Sequence, residues 1–119
     1  MYFLLFVLND TSKCDDLLFG WEDAGVKGVT ILPSSGLGRV RQNLGLRDDM
    51  PMFPSLSDIL EHTEKLSRTF FTIADSDEMV DKILENTEKE VGDLNNPNTG
   101  ILIVMPVAKV YGLKKNGNY

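Results

Sequence analysis

The sequence has little of what builds a reactive centre on its own. A single cysteine, Cys14, excludes an internal disulfide framework and leaves no Cys-x-x-Cys pair for zinc or redox chemistry. A single histidine, His62, excludes a histidine-rich metal site within one chain. Cations are in the minority, twelve Lys and Arg against eighteen Asp and Glu. The resulting net charge of −6 argues against nonspecific nucleic-acid binding, which needs a basic surface. The apolar opening, Met1 to Leu8, is far too short to cross a bilayer, and it lacks the basic start and small-residue cleavage site of a secretory signal. The expectation is a cytoplasmic protein with no nucleic-acid partner, no membrane insertion and no metal. What is present is ordinary for a globular chain: 119 residues, 42% hydrophobic and 25% charged, read as one domain over 1–119 with enough apolar mass for a core.

The order of elements follows from periodicity and from turn residues. Tyr2 to Leu8 is a continuous apolar run bounded by Asn9-Asp10, and it predicts a central strand buried on both faces. Ser12-Lys13-Cys14-Asp15 has the Ser-x-x-acid form of a helix start, in which the serine oxygen and the acid each satisfy an orphan backbone N–H. Cys14, Leu17, Leu18, Trp21 and Ala24 follow at steps of three and four, on one helix face, and Gly25 is placed to end that helix. Gly28 to Leu32 is the second strand, stopped by Pro33. Between 33 and 54, Pro33, Gly36, Gly38, Gly45, Pro51 and Pro54 exclude a persistent helix or ladder, and Ser55-Leu56-Ser57-Asp58 then opens a short helix at about Leu56 to Lys65. Arg68 to Ala74 is the third strand. Asp75-Ser76-Asp77-Glu78 caps a longer helix whose inward side is Met79, Val80, Ile83, Leu84, Thr87 and Val91. Gly100 to Val104 is the fourth strand, halted by Pro106, and the tail adds a short edge strand around Lys109 to Leu113.

Strand-helix-strand, long loop, strand-helix-strand is the split βαβ order. It predicts an α+β, ferredoxin-like βαββαβ fold: an antiparallel four-stranded sheet, both main helices on one side, and a long loop containing a short helix between strands 2 and 3. Such a sheet leaves its opposite face bare. A chain of this size does not cover it, so sheet-to-sheet oligomerisation is expected.

Candidate functional residues concentrate in the long loop and the tail. A compact domain rarely keeps an interruption of about thirty residues without a use for it. The loop opens on Ser35-Gly36-Leu37-Gly38-Arg39, where two glycines let backbone approach a ligand and the arginine adds a permanent cation with a planar donor fork. Charge agrees with this. Residues 75–93 hold eight acids against two lysines, the whole excess of the chain, so the remainder is neutral overall. Within that remainder, Arg39, Arg41 and Arg47 at the loop start and Lys109, Lys114 and Lys115 in the tail are the cationic patches where an anion is expected. Met50, Met52 and Phe53 either form an adaptable partner-docking patch or fold back on the subunit. His62, beside Glu61 and Glu64, reads as a surface residue, and Cys14 as inert packing. No Ser-His-Asp set and no paired general acid and base stand out, so the chain reads as a binding protein and not an enzyme.

Several segments match a known pattern in order and spacing: the opening strand, Cys14-Asp15-Asp16-Leu17, Gly25-Val26-Lys27-Gly28-Val29-Thr30, Gly36-Leu37-Gly38-Arg39, Ala74-Asp75-Ser76-Asp77, and Ile101-Leu102-Ile103-Val104-Met105-Pro106-Val107. Together they resemble the PII signal-transduction superfamily, the trimeric nitrogen-regulatory proteins and their relatives. The resemblance implies a homotrimer packed sheet to sheet. It also implies a small anionic effector, an adenine nucleotide, in clefts between subunits, and a T-loop, here 39–65, that changes shape with the ligand and docks on a target protein. By position it implies that Thr30, Gly36, Gly38, Arg39 and Lys114 contact the ligand, and that Arg41, Arg47, Met50, Met52 and Phe53 belong to the docking loop. The departures point to a divergent member. The family's phosphate-gripping Gly-Asp-Gly-Lys is here Pro97-Asn98-Thr99-Gly100 without its lysine, one tail arginine falls at Gly112, and Val40 stands where a glutamine usually follows the arginine. The loop holds no tyrosine, which excludes uridylylation there. Two alternatives remain on the same scaffold: a small enzyme, and a metal-linked or structural trimer of the related CutA type.

Overall fold

The computed structural model describes residues 1–36 and 67–113. Four strands and two helices follow in the order β1 (Tyr2–Leu8), α1 (Cys14–Asp23), β2 (Thr30–Ser34), β3 (Ser67–Ala74), α2 (Asp77–Val91) and β4 (Ile101–Pro106). The strands form one sheet in the order β2-β3-β1-β4, with every neighbouring pair antiparallel. This is the expected ferredoxin-like α+β arrangement. The expected helix at 56–65, the loop residues Gly38, Arg39, Arg41, Arg47, Met50, Met52, Phe53 and His62, and the tail cation Lys114 lie outside the described residues.

Side chains alternate across the sheet, and the alternation decides what the helices cover. Leu4, Phe6 and Leu8 of β1 and Phe70 and Ala74 of β3 are fully buried against Leu17 and Trp21 of α1 and Ile83 of α2, so both helices lie on one face. Trp21 meets Phe70 edge to face, with ring centroids 5.7 Å apart. Its indole Nε1 donates to Thr87 Oγ1 (2.9 Å), which donates in turn to the Ile83 carbonyl (2.6 Å). Trp21 and Thr87 are both 0% exposed, so the bond has no water to replace it. Thr87→Val should therefore cost about 2 kcal/mol by orphaning the indole N–H, while Thr87→Ser, which keeps the acceptor, should cost less. Urea unfolding followed by Trp21 fluorescence distinguishes the two variants.

The helices cross closely at Gly20, whose carbonyl accepts from Asn86 Nδ2 (2.6 Å). A Cβ there would stand 3.4 Å from the Asn86 Cβ. Ser76 caps α2 by accepting from the Met79 amide, as its position in the sequence predicts (3.2 Å).

Four expectations need correction. Ser12 does not cap α1, whose N-cap position is Lys13 with no side-chain bond; the capping side chain here is Asp10, on the turn before it. Asp10 Oδ1 accepts from both the amide (3.1 Å) and the hydroxyl (2.6 Å) of Ser12, and a 3₁₀ turn, Thr11–Lys13, precedes the helix. The acid is two residues from the amide it serves, an Asx turn that competes with the serine cap. The second strand begins later, at Thr30, and runs through Pro33 to Ser34. Proline is tolerated because β2 is an edge strand, with one side free of ladder bonds. Leu84 is 38% exposed, just off the buried stripe of Ile83 and Thr87. The tail forms no strand between 107 and 113. There the Val107 amide donates to the Met1 carbonyl (3.0 Å).

Candidate effector site

One end of the sheet carries both the exit of the long segment and the 97–100 turn. The register sets Ser34 opposite Ser67, Leu8 and Pro33 opposite Arg68, and Val7 opposite Ile101. The segment 35–66 therefore leaves at the same end where the 97–100 turn enters β4.

Three hydroxyls close the stem of that segment. Ser67 Oγ donates to the Ser34 carbonyl (2.7 Å), which leaves Ser34 Oγ to donate to Ser67 Oγ (2.8 Å), and Thr69 Oγ1 donates to Ser34 Oγ (2.8 Å). Each hydrogen is used once, and Ser67 is only 3% exposed. Arg68 Nη1 donates to the Ser67 carbonyl (3.0 Å). Gly36 thus follows a strand end held by side-chain as well as ladder bonds. Sequence reasoning missed this clasp, because Ser34 meets Ser67 and Thr69 only once the register is known.

At the opposite edge, the 97–100 turn winds tightly. Asn98 has φ +65°, Gly100 has φ +113°, and Thr99 Oγ1 donates to the Asn96 carbonyl (2.9 Å). Gly100 packs against the end of β1, where a Cβ would lie against the Val7 carbonyl oxygen and 2.8 Å from the Phe6 ring. Two strands, β3 and β1, separate the edge carrying Gly36 from the edge carrying this turn. Three interstrand spacings are about 14 Å, so the two do not meet in one chain.

Thr30 lies at the other end of β2, four strand steps, about 13 Å, from Ser34. It sits on the face away from the helices, opposite Phe71, in a row with Leu5 and Ile103. Most of that face is apolar, Phe3, Leu5, Val7, Phe71, Ile73, Leu32, Ile101, Ile103 and Met105, with Thr30, Thr69, Ser34 and Ser67 its polar members along β2 and β3. Leu32 and Met105 are each 48% exposed and Ile101 55%, and Phe3 packs on Phe71 with centroids 5.7 Å apart. A surface of this kind on one chain marks an interaction site.

The one thiol is a poor nucleophile. Burial pushes Cys14 up first and the charge of Asp15 second, against an opposing pull from Arg68, so it stays protonated near neutral pH.

The sequence matches the family model of the nitrogen regulatory protein P-II over residues 4–116. The chain belongs to the P-II family. No individual curated protein matches it. P-II proteins are regulatory. Of the ligand residues expected for this P-II protein, Thr30 and Gly36 lie at opposite ends of β2. Gly38, Arg39 and Lys114 are outside the described residues. Among the described residues, no helix is long and apolar enough to cross a membrane.

Proposed function

We propose that this P-II protein is a cytoplasmic homotrimeric regulator. In this reading it binds an adenine nucleotide in clefts between subunits and signals to a target protein through residues 39–65. The observation that carries the reading is the uncovered apolar face, with Thr30 on it and the two candidate phosphate turns on opposite edges of one sheet. A ligand touched by the β2 edge of one copy and the 97–100 turn of the next needs the copies side by side. Covering the bare face brings them there. The separation of Thr30 from the strand end suits an elongated ligand with an apolar ring at one end and phosphates at the other. It does not suit a compact dicarboxylate. Backbone amides near Gly36 and Gly38 and the Arg39 fork supply the anion contacts. Effector binding biases the 39–65 segment by its difference in affinity between two arrangements.

Thermal unfolding with ATP, ADP and AMP, each with and without magnesium, tests the assignment. A nucleotide at a hundred times its dissociation constant should add about 2.7 kcal/mol. Arg39→Ala should weaken binding by about tenfold or more, the loss of one charge-assisted contact. No shift with any adenine nucleotide overturns it.

A further inference from the structure

The helical layer carries a surface that the nucleotide reading does not use. Phe19 points away from the core and is 63% exposed. It forms a ridge between two concavities. One, of about 300 Å³, is lined by Leu18, Val26 and Val29 together with Asp15, Glu22 and Lys27. The other, of about 210 Å³, lies between the helices, with Asp16, Asp23, Glu90 and Lys89 around it. Asp15, Asp16, Glu22 and Asp23 stand four and three residues before Phe19 and three and four after it. An exposed aromatic ring is thereby framed by four exposed carboxylates on neighbouring turns.

Helix stability does not explain the arrangement. Asp15 and Asp16 in the first turn favour the helix dipole, but Glu22 and Asp23 occupy the last turn, which has no base and where negative charge is unfavourable. Lys27 lines the first concavity and Lys89 the second, so each concavity holds one cation among the carboxylates. Lys89 approaches Glu85 on its own helix (3.8 Å), and Lys13 Nζ donates to the Glu90 carbonyl (2.9 Å). The two helices together hold ten acids against two lysines, net −8, so the rest of the chain is net +2. Such a layer repels nucleic acid and anionic lipid.

We propose that the Phe19 ridge docks a cationic segment of a partner protein. An arginine or lysine of the partner lies over the ring and reaches the flanking carboxylates, and apolar partner side chains fill the 300 Å³ concavity. A guanidinium over an aromatic face gains from the ring quadrupole, and charge complementarity steers its approach. This surface is separate from the nucleotide site, so either assignment can fail without the other.

The probe is a fluorescein-labelled amphipathic peptide of lysine, arginine and leucine, followed by anisotropy against the full chain. Its counterpart carries glutamate at every cationic position. The cationic peptide should bind and the acidic one should not, with binding weakened by added salt. Phe19→Ala should weaken binding about tenfold, as should the pair Glu22→Gln and Asp23→Asn, which should also raise the unfolding midpoint. Glu78→Gln with Asp81→Asn removes the same charge from the far end of the acidic layer and should change binding less than about twofold. Failure of the cationic peptide to bind, or equal weakening by both charge-removing pairs, overturns the proposal. Equal weakening would mean diffuse attraction to an acidic surface.

Discussion

Gly100→Ala should cost about 4 kcal/mol of stability or abolish soluble protein, whereas Gly92→Ala should cost about 1 kcal/mol. Both glycines have positive φ, +113° and +90°, so both substitutions carry the left-handed backbone penalty. They differ in surroundings. A Cβ at Gly92 meets nothing within 4 Å, while one at Gly100 drives into the Val7 carbonyl and the edge of the Phe6 ring. Phe6 is fully buried at the centre of the core, and the Val7 carbonyl is backbone, so neither can yield cheaply. Circular dichroism and urea unfolding of the two variants measure the difference. Similar costs would mean that the close approach of the 97–100 turn to β1 is unimportant.

Ile103→Glu should convert the assembled protein into single folded subunits. Ile103 lies in the row Thr30, Phe71, Leu5 and Ile103 and is 40% exposed in one chain, so the change leaves the helix-side core untouched. In an interface it buries a carboxylate among apolar groups with no partner, a cost of several kcal/mol per subunit. Leu84→Glu is the control. Leu84 is similarly exposed at 38%, but it lies on α2, across the layer from the bare face. Light scattering after size exclusion should give an unchanged mass for Leu84→Glu and a single-chain mass for Ile103→Glu with native circular dichroism. An Ile103→Glu protein that keeps the wild-type mass would remove the bare face from the assembly.

The order of elements was legible because each carries its own local signal. The stripe of Leu17, Trp21 and Ala24, the Ser76 cap and the apolar run of β1 all depend on neighbours a few residues away. What escaped reading depends on pairing. Pro33 sits inside β2 because that strand is an edge, a fact of sheet order and not of composition. Asp10 displaced Ser12 as the capping group because two local hydrogen-bonding schemes compete within three residues. The bare face was expected from the fold class, but its occupants, Leu5, Phe71 and Ile103 around Thr30, follow only from register. Phe19 was passed over because it lies off the apolar stripe. The signal was its placement among four acids. Local chemistry pointed to Gly36, Gly38, Arg39 and Lys114 and family likeness added Thr30; of these, Thr30 and Gly36 are described in the structure.

The most direct measurement is calorimetric titration of ATP into the wild-type protein and into Ile103→Glu, with the mass of each determined on the same samples. The account predicts binding of one nucleotide per chain to an assembled wild type and loss of binding in the dispersed variant, because the two edges of the site then belong to different molecules. Equal affinity for the single subunit, or no heat of binding from an assembled wild type, would contradict it.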